Sequence, residues 1–246
     1  MARSGNPALK AEIFTNAPRA VAGDGLMTIN GTVNKTIVLL ALALLTAGWA
    51  WSNYFGGNTG TVSTAMMAGV IGGLIVAFAT IFKPTWSPIT APLYALLEGL
   101  VLGGASALFE SRYPGIVLQA VGLTFATMLS MLITYRSGLI KVTDKFVRGV
   151  VIATGGILLF YVADMLLGFF GHSIPFIHQS SGLGIGFSLV VVGIAALNLL
   201  IDFEFIVQGA RAGAPKYMEW YGSFSLMVTL VWLYLELLRL LAKIRD

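Results

Sequence analysis

The sequence predicts an all-α integral membrane protein with seven transmembrane helices. Composition is the first reason: of 246 residues, 57% are hydrophobic and 11% charged, and the mean hydropathy is +0.85. A soluble domain carries about 25% charged residues. The second reason is a series of apolar runs, each near the ~20 residues that cross a bilayer: 36–55, 62–82, 90–109, 114–135, 149–170, 182–207 and 218–241. The third is the punctuation between them. Gly56-Gly57-Asn58, Lys83-Pro84 with Pro88, Arg112-Tyr113-Pro114 and Pro215 all fall between runs, where helix breakers belong.

Taken in order, residues 1–35 are polar and interrupted by Pro7, Pro18, Gly23 and Gly25, and they read as a flexible cytoplasmic tail. Residues 36–246 form the transmembrane domain, and ~140 residues in seven helices leave no room for a second one. The run 36–55 starts too late and is too long for a cleaved signal peptide. In the spans that follow, Gly69/Gly73, Gly99/Gly103 and Gly182/Gly186 are read as seams where small residues let helices approach closely. Trp49, Trp51, Tyr54 and Trp220 stand at span ends, as interface anchors do.

Orientation follows from Lys and Arg, which accumulate on the cytoplasmic side. Arg3, Lys10, Arg19, Lys35, Lys83, Arg136, Lys141, Lys145, Arg148, Arg211 and Lys216 fall on one side, and Arg112, Arg239, Lys243 and Arg245 on the other. The N-terminus is therefore expected in the cytoplasm. Glu12 and Asp24 make the tail unlike a transit peptide, which is poor in acids, so the expected location is a bacterial plasma membrane. A net charge of +4, scattered along the chain, gives no nucleic-acid footprint. Absence of Cys excludes disulfides and thiolate metal sites.

A carboxylate at bilayer depth is costly, and its default reading is functional. The candidates are Asp202, Glu98, Asp164 and Glu236, with Glu219, Glu204, Asn198 and Arg239 as secondary ones. Glu98 lies about 12 Å into the third span and Asp202 about 8 Å from the cytoplasmic end of the sixth. With Glu219 these make an inner layer, and Asp164 and Glu236 make an outer one. Asn198 precedes Asp202 by one turn and shares its helix face. Glu204 points elsewhere, snorkelling towards the interface. Arg239 is one turn from Glu236 and neutralises it in the competing, structural reading. Tyr161 is one turn from Asp164 and is the expected partner of that acid. Glu219 reads as a helix-start acid favoured by the helix dipole. For Asp202 and Glu98 the competing reading is a protonated packing acid.

His172 and His178 fall in a loop and lack the i,i+4 spacing of a helical metal pair. No HExxH, GxSxG or P-loop occurs. No span holds a His for an intramembrane serine protease, and Asp164 and Asp202 are in opposite halves, against an aspartyl one. The chain is accordingly read as a non-enzyme needing no cofactor.

Four segments then carry a resemblance: Met27-Thr28-Ile29-Asn30-Gly31 to Lys35-Thr36, Leu97-Glu98-Gly99-Leu100-Val101-Leu102-Gly103, Asn198-Leu-Leu-Ile-Asp202-Phe, and Leu233-Tyr234-Leu235-Glu236-Leu237-Leu238. In this order they resemble the transmembrane Bax inhibitor motif family, in its bacterial Bax inhibitor-1-like branch, over residues 28 to 241. The resemblance implies two three-helix layers around a central seventh helix. It also implies a calcium leak gated by protons, in which acids on the sixth and seventh spans share a proton. Asp202 matches the sixth-span acid, which makes it the candidate metal contact. Glu236 matches the seventh-span acid by its Leu-Tyr-Leu-Glu context, yet it is farther along the chain than the family's paired acids and belongs to the outer layer. Level with Asp202 on the last span stand Ser223 and Phe224, and Glu219 and Glu98 are the alternative partners.

The expected function is thus a pH-sensitive calcium-permeable leak channel, with the lipid bilayer, calcium and protons as its partners and calcium as permeant or bound ion. The alternative is a regulatory protein that binds another membrane protein, such as a quality-control protease, without ion flux. A proton-coupled exporter ranks last, because the halves show no repeat.

Overall fold

The structure is a computed structural model, and it describes residues 25–170 and 179–246. Among the described residues seven helices are long and apolar enough to cross a membrane. They are α1 (Ile29–Phe55), α2 (Thr59–Phe82), α3 (Ser87–Arg112), α4 (Ile116–Ser137), α5 (Asp144–Phe169), α6 (Gly182–Arg211) and α7 (Met218–Arg245). The expected all-α, seven-span class is what is found. The helices have 22 to 30 residues, about 33 to 45 Å at 1.5 Å per residue. A hydrocarbon core is about 30 Å thick, so the helix ends reach the headgroup layers.

The ends are set by local chemistry. Thr28, Thr143 and Ser181 cap α1, α5 and α6 by accepting the amides of Gly31, Phe146 and Gly184, the standard hydroxyl N-cap. Glu110 caps α4 across the preceding turn, accepting from the Gly115 amide at 2.6 Å and the Val117 amide at 3.0 Å. Between α2 and α3, Pro84–Trp86 make one 3₁₀ turn and Pro88 stands in the first turn of α3, where its missing N–H costs nothing. The left-handed Gly138, at φ +68°, closes α4.

One boundary differs from the sequence reading. The first helix starts at Ile29, not at residue 36. Residues 29–35 are polar but helical, because Thr28 caps them and Lys35 has a buried partner on α7, described below. Residues 1–24 of the expected tail, and both His172 and His178, lie outside the described residues.

α7 is the centre. It packs against α1, α3, α4 and α6, and 67% of its apolar window is buried, against 11% for α5. α1, α2 and α3 form one layer, with α1 tightly on α3; α4, α5 and α6 form the other, with α5 resting on α6. The α1–α3 contact depends on two glycines. A Cβ on Gly99 would stand 2.2 Å from the Ala43 carbonyl oxygen, and one on Gly103 2.3 Å from that of Ala47. Gly69 meets the Leu97 carbonyl in the same way at 2.6 Å. Gly182 and Gly186 have nothing within 4 Å, so that third pair is not a seam within this chain.

The N-terminal ends of α1, α3, α5 and α7 define one face of the bundle. There the chain enters α1 against the α6–α7 turn: Leu26 forms an isolated antiparallel bridge with Pro215, and the Met27 amide donates to the Ala214 carbonyl at 2.7 Å. Met27 is buried among Phe205, Ile206, Met218, Tyr221 and Phe224. At the opposite face Arg245 donates to the Pro114 carbonyl and to Gln119, both at 2.9 Å. Large apolar side chains such as Leu44, Phe82, Leu118, Ile152 and Leu183 point outwards and exposed, a surface suited to lipid tails.

Candidate functional site

Polar groups lie along α7 in three layers. Nearest the N-terminal face is Glu219, in the first turn of α7 and 0% exposed. It accepts the Thr28 amide at 2.9 Å and the Thr28 hydroxyl at 2.8 Å, and pairs with Lys216 at 2.9 Å and with Lys35 of α1. The Lys35 ammonium also stands 5.4 Å from the Trp220 ring centroid, within cation–π range. Ser223, one turn on, donates to the Thr32 carbonyl at 2.8 Å. Glu219 is a helix-start acid, as expected, but it is buried and not at an open interface. It is the buried anchor that fastens the start of α1 to the start of α7.

The middle layer holds Asp202, 1% exposed on α6. Ser225 of α7, also buried, donates to Asp202 Oδ1 at 3.2 Å. The antiparallel register expected from sequence, level with Ser223 and Phe224, is met within two residues. One turn before Asp202, the buried Asn198 donates to Thr154 of α5 and to the Ile194 carbonyl, both at 2.9 Å. A polar line thus runs from α5 through α6 to α7. Ser225 follows Glu219 by six residues, about 9 Å along the helix.

The outer layer is centred on Glu236, 2% exposed and eleven residues beyond Ser225, about 16 Å. Arg239 pairs with Glu236 at 3.0 Å, and the Tyr161 hydroxyl of α5 donates to Glu236 at 2.8 Å while accepting from Arg239 at 2.9 Å. Tyr161 thus spends its proton on Glu236 and not on Asp164, its expected partner. Asp164, half-buried, lies ten residues past Thr154 towards this face, about 15 Å. The register that pairs Thr154 with Asn198 keeps it away from Asp202. Lys243 reaches across to α6, donating to Ser188 Oγ at 2.8 Å and to the Gly184 carbonyl at 3.1 Å.

Asp202 and Glu236 are consequently not brought together. Opposite Asp202 stands a serine hydroxyl, and Glu236 has its own cation. Glu98, half-buried on α3, faces α2, where its Oε2 lies 3.4 Å from the site of a Cβ on Gly73. The Tyr94 ring, one turn before Glu98, packs edge-on against Phe224 of α7 at 5.0 Å. Glu204 turns towards α4 and the end of its own helix. It accepts the Tyr135 hydroxyl of α4 at 2.6 Å and the Gln208 amide at 2.7 Å. Among the described residues no three His, Asp or Glu converge on a point that would hold a metal ion.

Sequence reasoning missed Lys35, Ser225 and Lys243. Thr28, a residue type favoured at helix N-caps, is the local signal that could have started the helix before Lys35. Ser225 has no signal of its own beyond its level on the last span.

A family model described as Bax inhibitor 1 like matches residues 6–246. No curated protein and no solved structure matches the chain. The four segments that carry the resemblance, the central seventh helix and a match over nearly the whole length agree, and the chain belongs to the Bax inhibitor 1 like family.

Proposed function

We propose that the protein is a pH-sensitive, calcium-permeable leak channel and has no catalytic activity, with the protonation state of Asp202 as its gate. The observation that carries this is the burial of Asp202 in the α6–α7 seam against Ser225. Protonated, a carboxyl there is neutral and exchanges hydrogen bonds with a hydroxyl, which both donates and accepts, and the seam stays shut. Ionised, it is too costly to leave dry, and it draws water or a cation into the seam. The hydroxyl of Ser225 faces Asp202 across the seam, and the switch proposed is the hydration of that carboxylate when it ionises.

The orientation supported is N-terminus in the cytoplasm of a bacterial plasma membrane. Lys35, Lys83, Arg136, Lys141, Lys145, Arg148, Arg211 and Lys216 all fall at the N-terminal face, which the positive-inside rule places there. The test is calcium entry into liposomes holding the full chain, over a pH series. Wild-type flux is expected to rise with pH, and Asp202→Asn, fixed in the neutral form, to be low and flat. An unchanged pH profile in that variant removes Asp202 from the gate. Absence of flux in the wild type, with a stoichiometric partner crosslinked in native membranes, would favour the regulatory reading instead.

A further inference from the structure

Lys243 is 6% exposed near the end of α7. An ammonium has three N–H donors, and Ser188 Oγ and the Gly184 carbonyl take two of them. Among the described residues no carboxylate stands at ion-pair distance from its Nζ. Burying a cation without an anion is expensive, and an anion that comes to it relieves the expense.

The place for it is present. Lys243 lines a cavity of about 520 Å³ between the ends of α3 and α7, together with Arg112, Tyr113, Arg239 and Asp246. The Asp246 carboxyl accepts from the Tyr113 hydroxyl, which holds it below the usual carboxylate range, and Arg112 stands 3.7 Å away. Asp246 is therefore ionised and answers Arg112, and Glu236 answers Arg239. Lys243, by contrast, has only the neutral oxygens of Ser188 and Gly184 at hydrogen-bond distance. Helix dipoles do not cancel its charge, because the C-terminal ends of α3 and α7 meet the N-terminal ends of α4 and α6 at this face, with opposite signs. Each guanidinium has five donors, and Arg239 commits only Nη1 to Glu236 and Tyr161. Leu108, on the cavity wall, is 57% exposed on the outer surface of α3, so the cavity opens beside the lipid tails at headgroup level.

We propose that this cavity binds a phosphate-bearing anion, the headgroup of an anionic lipid or a soluble phosphate, with Lys243 as the inner contact and Arg112 and Arg239 at the rim. Basic pockets between transmembrane helices hold lipid phosphates by the same chemistry, and charge-assisted bonds to guanidinium and ammonium are the strong ones. The site is at the opposite face from Glu219, and Asp202 plays no part in it.

The experiment measures binding to the full chain in neutral detergent, with dioctanoyl phosphatidylglycerol, inorganic phosphate and dioctanoyl phosphatidylcholine as probes. Wild type, Lys243→Gln and Arg112→Gln are compared. Saturable binding of one of the first two probes is expected, weakened about tenfold or more by loss of the buried charge in Lys243→Gln and less by Arg112→Gln. Binding of phosphatidylglycerol without phosphate identifies a lipid as the source, and binding of phosphate alone identifies a soluble ion. Equal binding of phosphatidylcholine, no binding of either anionic probe, or unchanged affinity in both variants overturns the proposal. Arg112, with a side chain 73% exposed, is replaceable without unfolding the chain, so that variant decides the matter if Lys243→Gln fails to fold.

Discussion

Glu219 and Gly31 show how one side chain constrains another position. A Cβ on Gly31 would stand 2.1 Å from Glu219 Oε1, so the carboxylate occupies the space a side chain would need. Removing one partner of a buried ion pair costs about 3–5 kcal/mol, whereas an exposed pair contributes about 0–1 kcal/mol. Glu219→Ala is therefore expected to lower the thermal unfolding midpoint in detergent strongly, and Lys216→Ala, half exposed, only slightly. Gly31→Ala is expected to be severe in the wild type and mild in the Glu219→Ala background, because the clash partner is gone. Additive effects in that double-mutant cycle would contradict the packing described. The identity of the buried acids was legible in the sequence, since few carboxylates fall within apolar runs. Their partners were not. Lys35, Tyr161 and Ser225 are unremarkable in sequence and acquire meaning only from helix register and rotation.

Among the elements, the α1–α3 pair depends most on close approach. A seam set by Gly99 and Gly103 cannot admit a branched side chain without separating the helices, and overpacking commonly costs about 1–3 kcal/mol. Gly103→Leu is expected to destabilise the protein by at least that much and Gly186→Leu, which has open space beside it, by almost nothing. Comparison of their unfolding midpoints checks this. The small-residue spacing of the two pairs is the same in sequence. A glycine pair permits contact, and whether a partner helix takes the place is decided by tertiary packing. The start of α1 was misplaced for a related reason. Residues 29–35 lack an apolar run, and their helicity comes from a cap and a buried pair on a distant element, which hydropathy does not register.

At the scale of the molecule, hydropathy and punctuation located all seven spans, because a chain in lipid must satisfy its backbone within each segment. The layering around α7 was implied by the family resemblance and by no periodicity. The four cations at the C-terminal face, Arg112, Arg239, Lys243 and Arg245, weaken a charge-count orientation, yet each of them is engaged by a carboxylate, a carbonyl or a hydroxyl. Absence of Cys makes orientation directly measurable. With an N-terminus in the cytoplasm, Asn58→Cys is expected to react with a membrane-impermeant maleimide in intact cells, and Lys141→Cys only after permeabilisation. The reverse pattern would invert the topology.

The clasp between the approach to α1 and the α6–α7 turn has a consequence for biosynthesis. Chains leave the ribosome N-terminal part first, so the earliest helix waits for the latest before Lys35 finds its carboxylate and Met27 its pocket. Until then the nascent bundle has a vacant axis and an unanswered ammonium facing it. Closure accordingly waits for α7, and any factor that holds the six earlier helices apart delays it without touching their insertion.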